Sequence, residues 1–137
     1  MKKIILAMVA VMVPLMLSAG STDFWFRHFS VEDGLSSSAV RAIMQDKYGF
    51  MWLGTDDGLN RYDGTTIKIY RLNPEGVNDY ISFLYDTTDR IWIGTGDGVY
   101  IYDYETENFE PFKLLTAKGD SIKTNVNHIA EDRDGNL

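Results

Sequence analysis

Acidic side chains are the residues whose types and spacing in this chain could support chemistry. Eight aspartates are candidates, most of them beside another aspartate or close to a glycine: Asp46, Asp56, Asp57, Asp63, Asp97, Asp103, Asp132 and Asp134. Paired carboxylates could act as general acid and base, or bind calcium. They could instead close tight turns, because their oxygens accept hydrogen bonds from nearby backbone N–H groups. A catalytic residue needs no copy in every repeat, so their recurrence favours the turn interpretation.

Other signals for catalysis, metals or cofactors are weak. Residues 132–136 resemble the start of a calcium loop, but the glycine comes early and the distal glutamate is missing. The only histidines, His28 and His128, have no partner that sequence order identifies. No run of glycines has the spacing of a phosphate-binding loop. We therefore predict no catalytic residue, no metal site and no cofactor.

Four tyrosines on predicted turns or outer strands are candidates for stacking on sugar rings: Tyr48, Tyr70, Tyr80 and Tyr104. Tyrosines at strand edges also serve as ordinary packing, and the sequence leaves both alternatives open. The ligand-binding residues are therefore not assigned.

A repeat positions most of these residues. The stretch Asp46–Asp63 returns forty positions later as Asp86–Asp103. An ungapped comparison matches eight pairs: Asp46/Asp86, Trp52/Trp92, Gly54/Gly94, Thr55/Thr95, Asp57/Asp97, Gly58/Gly98, Tyr62/Tyr102 and Asp63/Asp103. A third copy begins at Asp132. Self-similarity at this period indicates a repeat architecture.

Each unit reads as four short strands joined by tight turns. The strands predicted for the first unit are Val40–Asp46, Phe50–Thr55, Leu59–Tyr62 and Thr65–Arg71. Those predicted for the second are Tyr80–Asp86, Arg90–Thr95, Val99–Tyr102 and Asn108–Phe112. Phe24–Ser30 is a further strand candidate before the turn Val31–Gly34, Lys113–Asn125 is a hydrophilic connector, and Val126–Asp132 opens a third unit.

Meanders of this kind predict an all-β β-propeller fragment at residues 22–137. Blade 1 spans about 40–71, blade 2 about 80–112, and a third blade starts at 126–137. Trp52 and Trp92 are expected between neighbouring blades, and Trp25 in the core, where its strand could complete the last blade of a ring. Propellers usually have four to eight blades, so we expect the chain to be part of a larger array. Open sheet faces and edges would favour association.

Composition and the N-terminus indicate the class of protein and its compartment. The chain has 137 residues, a formal charge of −7 and no cysteine, and an acidic chain without a basic cluster is a poor candidate for binding nucleic acid. After Met-Lys-Lys, Ile4–Leu17 is an apolar run followed by small residues. This pattern predicts a secretory signal peptide at 1–21, with an uncleaved anchor as the alternative. No cysteine follows, which excludes lipoprotein processing.

The stretch Gln45–Gly64 resembles the two-component regulator propeller repeat, and Phe29–Ser36 resembles the segment that precedes it in that family. Together they resemble the N-terminus of the periplasmic sensor of a hybrid two-component regulator. The resemblance implies a membrane-anchored, homodimeric parent with further propeller and sensor domains, and cytoplasmic histidine kinase, receiver and DNA-binding parts. The turn at Thr87–Arg90 departs from the family pattern, because Asp89 replaces the usual glycine.

The resemblance also implies a function. Sensors of this family typically detect glycan fragments and control genes for polysaccharide use, so we expect a non-enzymatic, periplasmic segment whose ligand is an oligosaccharide. The alternatives are a secreted propeller enzyme acting on polysaccharide and a propeller scaffold for protein contacts.

Overall fold

A computed structural model describes residues 25–73 and 79–136. The predicted signal peptide at 1–21 lies outside these ranges. Within them, no helix is long and apolar enough to cross a membrane.

The described chain forms two four-stranded antiparallel sheets, as the repeat predicts. The first has the order β1-β2-β3-β4 and contains β1 (Val40–Gln45), β2 (Met51–Thr55), β3 (Gly58–Tyr62) and β4 (Ile67–Tyr70). The second has the order β5-β6-β7-β8 and contains β5 (Ile81–Asp86), β6 (Arg90–Thr95), β7 (Gly98–Asp103) and β8 (Asn108–Phe112). We call these sheets blade 1 and blade 2. The prediction of an all-β fold built from four-stranded blades is confirmed.

The turn between the second and third strands is the same in both blades. The Thr55 hydroxyl donates to the Gly58 carbonyl (2.9 Å) and accepts from the Asp57 N–H (3.1 Å). Thr95 makes the equivalent bonds to Gly98 (3.1 Å) and Asp97 (3.2 Å). Gly58 has a φ of 121°, which a residue with a Cβ rarely adopts. The repeated Thr-x-Asp-Gly pattern therefore encodes this hairpin.

The core lies at the seam where one face of blade 1 packs against blade 2. Trp52 is fully buried there, together with Ile81, Ile91 and Ile93. Gly54 allows the close approach, since a Cβ at this position would lie 2.5 Å from Cγ2 of Ile81. The expected burial of Trp52 between blades is confirmed.

Trp92 differs from its counterpart in the repeat. Its side chain is only half-buried and contacts Phe112 edge-to-face, with ring centroids 5.0 Å apart. It lies on the face of blade 2 that points away from blade 1. The expectation that Trp92 is packed between two blades is therefore wrong for the described chain.

The segment before blade 1 does not form the predicted strand. Residues 25–30 have no ladder partner in the described structure, and Trp25 is 94% exposed rather than in the core. A short 3-10 helix, Val31–Asp33, follows and ends at Gly34 with a φ of 104°. A strand needs a neighbouring strand to pair its backbone hydrogen bonds, and within residues 25–73 and 79–136 this segment pairs with none.

The chain after blade 2 contains one element that the sequence did not predict. The connector contains a small hairpin, β9 (Leu114–Leu115) paired with β10 (Ser121–Ile122). The described residues 123–136 form no strand. Val126 nevertheless donates its N–H to the Thr95 carbonyl (3.2 Å), and its carbonyl lies so close to Gly94 that a Cβ there would be 2.6 Å away. This segment therefore packs against blade 2 at Gly94, as Ile81 packs against Gly54 of blade 1.

The ungapped repeat comparison is wrong at the first turn. The Asp46 N–H donates to the Phe50 carbonyl (3.0 Å), whereas the equivalent bond in blade 2 runs from Thr87 to Arg90 (2.9 Å). The structural counterpart of Asp46 is therefore Thr87, not Asp86, and the turn in blade 2 is one residue shorter.

Candidate functional site

The repeated aspartates mainly close turns. The Asp63 carboxylate accepts from the backbone N–H groups of Thr65 (2.8 Å) and Thr66 (2.7 Å) and from both hydroxyls. Asp103 accepts from Glu105 and Thr106, and Asp132 from Asp134 and Asn136. These bonds lower the pKa of all three carboxyls, led by the backbone N–H of Thr66 for Asp63 and of Thr106 for Asp103, and by the Asn136 side chain for Asp132.

Other aspartates form ion pairs at the opposite end of the blades. Arg41 pairs with Asp56 at 2.7 Å, and Arg71 with Asp57 at 2.7 Å. The bond to Arg41 lowers the pKa of the Asp56 carboxyl, and the bond to Asp57 raises the pKa of Arg71. Both pairs are exposed, so each contributes little to stability. The turn interpretation therefore accounts for Asp63, Asp103 and Asp132, and ion pairing for Asp56 and Asp57.

Asp46 combines turn closure with a contact to the core. Its buried carboxylate accepts from the N–H groups of Tyr48 (2.9 Å) and Phe50 (3.0 Å), and from the indole Nε1 of Trp52 (2.7 Å). All of these donors would be costly to leave unpaired in the interior. The acid thus fixes the β1–β2 turn relative to the Trp52 ring and sets the direction of Tyr48.

A cleft opens where this turn meets blade 2, and it is the strongest candidate for a binding site. We call it the seam cleft. It consists of two hollows of about 360 and 330 Å³, both lined by Tyr48 and Tyr104. The first hollow also contacts Lys47, Asp89, Arg90, Asp103 and Glu105. The second also contacts Asp46, Phe50, Arg61, Tyr102 and Glu107.

The structure brings two of the four candidate tyrosines together in the seam cleft. The rings of Tyr48 and Tyr104 meet edge-to-face with centroids 5.2 Å apart. Tyr48 is 63% exposed, so its ring is available to a ligand. Tyr104 is held by its hydroxyl, which donates to Asp86 (2.8 Å). Burial, the bond to Asp86 and the Asp86 charge raise the pKa of Tyr104, which stays neutral at physiological pH.

Two cations border this aromatic pair. The Lys47 ammonium lies 4.4 Å from the Tyr104 ring centroid and 5.2 Å from that of Tyr48, and it donates to the Thr88 carbonyl. The Arg61 guanidinium lies 4.6 Å from the Phe50 ring centroid. Cations at such distances are attracted to the ring faces. The seam cleft therefore offers an aromatic surface edged by donors and acceptors of both charges.

The other sequence candidates lie elsewhere. Tyr70 stacks on Trp52 at 5.9 Å inside the core, and Tyr80 lies at the opposite end of the seam, where the Arg41 guanidinium is 5.7 Å from its ring. His28 is exposed, and His128 contacts Phe83 edge-to-face at 5.2 Å. In the ranges that the structure describes, no three histidine or acidic side chains converge as metal ligands.

Sequence reasoning missed Lys47 and Arg61. Lys47 precedes Tyr48 in a turn, and its contact with Tyr104 depends on how blade 2 packs. Arg61 lies on β3 directly after three buried residues, Gly58–Asn60, and a cation at this position of the strand was the available signal.

Comparisons with known proteins agree with the geometry. The model of the family described as "Two component regulator propeller" matches residues 34–57. Histidine kinase P4 of Formosa agariphila is 56% identical over 59 residues, which cover 43% of this chain and 4% of that protein. The solved extracellular domain assigned to a hybrid two-component system of B. thetaiotaomicron has 30% sequence identity and a TM-score of 0.67, over 80% of this chain and 16% of that one.

The chain thus spans a small share of the length of both relatives. The match to the solved extracellular domain nevertheless extends over most of the chain and therefore includes both blades. The chain carries a two-component regulator propeller repeat and is similar in sequence and fold to the extracellular part of a hybrid two-component system.

Proposed function

We propose that this chain is the ligand-sensing propeller segment of a membrane-bound hybrid two-component regulator, exported to the periplasm, and that its ligand is an oligosaccharide controlling genes for polysaccharide use. The seam cleft is the observation that supports the ligand class. Sugars present apolar C–H faces and a rim of hydroxyls, and binding sites combine apolar surface with a few placed polar groups. The exposed Tyr48 ring beside Tyr104 offers a surface for the C–H face of a sugar, and Lys47 with the neighbouring carboxylates offers hydrogen-bond partners for its hydroxyls.

The site would bind and not react. The carboxylates of Asp46 and Asp103 are engaged by backbone N–H groups of their own turns. The Tyr104 hydroxyl is committed to Asp86. The side chains of Asp46, Asp103 and Tyr104 are therefore held in place, which suits a recognition surface.

Calorimetric titration of the purified chain with a panel of short neutral and uronic-acid-containing oligosaccharides tests this proposal. We expect saturable binding to at least one of them, and a Tyr48→Ala variant should bind about tenfold more weakly, because a stacked ring carries much of the contact energy. Trp25→Ala is the matched control, since it removes an exposed aromatic side chain outside the seam cleft. Absence of binding to every sugar, or equal weakening by both variants, would contradict the assignment.

The regulatory part of the proposal has a separate test. The reading frame of the gene should continue beyond residue 137 into further propeller repeats, a transmembrane helix and a histidine-kinase motif. A frame that stops after one closed propeller would instead support a secreted enzyme or scaffold.

A further inference from the structure

The second hollow of the seam cleft contains a cation that no carboxylate neutralises. The half-buried Arg61 guanidinium lies 4.6 Å from the Phe50 ring centroid and 5.7 Å from that of Trp52. Among residues 25–73 and 79–136, Arg61 forms no ion pair, whereas Arg41 and Arg71 each pair with an aspartate. A guanidinium has five N–H donors, so Arg61 can donate to a ligand in the hollow.

Glu107 lines the same hollow and has an unusual backbone conformation. Its φ is 53°, and every other positive φ in the described ranges belongs to a glycine. In blade 1 the turn between the third and fourth strands contains Gly64, with a φ of 100°. A non-glycine residue in this region is strained, and strain of this kind often marks a functional position. Blade 2 thus retains a carboxylate at a position where a glycine would be less strained.

Arg61 and Glu107 lie close to one hydroxyl, that of Tyr102. Tyr102 lines the second hollow, and its hydroxyl is 3.5 Å from Nη1 of Arg61. Burial raises the pKa of Tyr102, the Arg61 charge opposes this shift, and the Glu107 charge adds to it. The hollow therefore presents guanidinium donors, a carboxylate acceptor and a neutral hydroxyl together, next to the exposed Tyr48 ring.

The charges around the seam cleft favour an uncharged ligand. The second hollow has two carboxylates, Asp46 and Glu107, and one cation, Arg61. The first hollow has three carboxylates and two cations. Negative charge is thus in excess in both hollows, in a chain whose formal charge is −7. An acidic group on a ligand would meet like charges at short range, and such repulsion is a source of specificity.

We propose that the second hollow is a subsite for one uncharged sugar residue, whose hydroxyls accept from Arg61 and donate to Glu107, and that Glu107 excludes acidic sugars. This assignment rests on the proposed function and names the class of oligosaccharide that the seam cleft takes. Hydrogen bonds with one charged partner are stronger than those between neutral groups. A uronic acid in the same place would set its carboxylate beside those of Glu107 and Asp46.

Calorimetric titration of the purified chain with matched sugars tests the subsite. The probes are neutral tetrasaccharides of several linkages, each beside its form oxidised at C6 to uronic acids, so that the members of a pair differ at C6 alone. The wild-type chain should bind at least one neutral tetrasaccharide, and should bind the oxidised form at least about tenfold more weakly. Equal or tighter binding of the oxidised form would overturn the proposal.

Two variants separate the charge of Glu107 from its backbone conformation. Glu107→Gly removes the carboxylate and places a residue suited to a positive φ. It should raise the thermal unfolding midpoint and still weaken binding of the neutral sugar about tenfold, so the loss cannot come from unfolding. Glu107→Gln keeps the shape of the side chain without its charge, and should bring the affinities for the two members of a pair closer together.

Glu110→Gln is the matched control, since it removes an exposed negative charge from β8, and Glu110 lines neither hollow. It should leave both affinities unchanged. Arg61→Met, which keeps an apolar side chain beside Phe50, should weaken the neutral sugar as Glu107→Gly does. If Tyr48→Ala weakens binding but neither Glu107 variant changes it, the subsite is wrong and the proposed function stands. No binding of any tetrasaccharide would contradict both.

Discussion

Blade 1 and blade 2 share one order of strands but close their first hairpin differently, and their central tryptophans also differ in burial. In blade 1 the turn spans Asp46–Phe50, and its buried acid bonds the indole of Trp52. In blade 2 the turn is one residue shorter, starts at Thr87 and uses the threonine hydroxyl to bond Arg90. In the described parts of the chain no carboxylate accepts from the Trp92 indole.

The two blades differ in whether the indole N–H of the central tryptophan has a buried acceptor. A fully buried indole N–H must be satisfied, and the acid that does so is present where a second blade covers the ring. Trp92 is half-buried, so its N–H does not need a buried acceptor. The turn of residues 132–136 has the geometry of the blade 1 turn, with Asp132 bonded to Asn136 and Gly135 at a φ of 84°. The blade 1 form thus appears twice in the chain.

Replacing each tryptophan should have the largest effect on stability, and the loss in the free energy of unfolding should differ between blade 1 and blade 2. We expect Trp52→Ala to lower the free energy of unfolding by about 3–5 kcal/mol, as is typical of large-to-small changes in a core. Trp92→Ala should cost roughly half as much, because its ring is partly solvated. Urea denaturation followed by circular dichroism measures both. Equal losses would mean that Trp52 is not enclosed by two blades.

Replacing Asp46 and its counterpart Thr87 tests whether the polar contacts of the two first turns differ in their contribution to stability. Asp46→Ala leaves the Trp52 indole and two backbone N–H groups without an acceptor, and should cost about 2–4 kcal/mol. Thr87→Ala removes one hydroxyl bond at an exposed turn and should cost roughly 1 kcal/mol or less. The same denaturation experiment compares them. If Thr87→Ala proved as damaging as Asp46→Ala, the two turns would be equivalent and the distinction would be wrong.

The smallest expected effect compares the Asp63 and Asp103 turns through pH. Both folded carboxyls have pKa values below the ordinary one, so their contribution to stability is present above the unfolded pKa of about 3.9 and is lost as pH falls below it. Asp63 accepts bonds from both residues of its turn with both backbone and hydroxyl donors. We therefore expect Asp63→Asn to flatten the acid-induced loss of stability more than Asp103→Asn does.

Thermal unfolding of the wild type and the two variants at neutral pH and below pH 4 measures this effect. Identical acid slopes for all three proteins would show that these turns do not contribute to the pH dependence.

Much of the fold could be predicted from the sequence because each blade is encoded locally. Apolar strands, Asp-Gly turns and the Thr-x-Asp-Gly hairpin recur at a fixed spacing, so strands such as β6 were predicted with their observed bounds. The first turn of blade 2 could not be predicted in this way. Asp86 and Thr87 are adjacent and both carry a side-chain oxygen, and only the strand pairing shows which of them closes the turn.

The seam cleft and the N-terminal segment lay beyond sequence reasoning for a different reason. Tyr48 and Tyr104 are far apart in the chain, and their contact depends on the packing angle of two sheets. Phe29 was expected in a strand, but its ring contacts that of Tyr62 edge-to-face. Both features depend on contacts between elements that no local pattern reports.

The central claim is that the two blades enclose Trp52 and that its indole N–H donates to Asp46. Hydrogen exchange of the tryptophan indole N–H groups, followed by nuclear magnetic resonance, tests this claim most directly. The chain has three tryptophans, so each indole N–H gives a separate signal. The Trp52 signal should exchange orders of magnitude more slowly than that of Trp25, with Trp92 between them, and Asp46→Asn should accelerate it selectively. Three indoles that exchange at the same rate would contradict the seam between the blades.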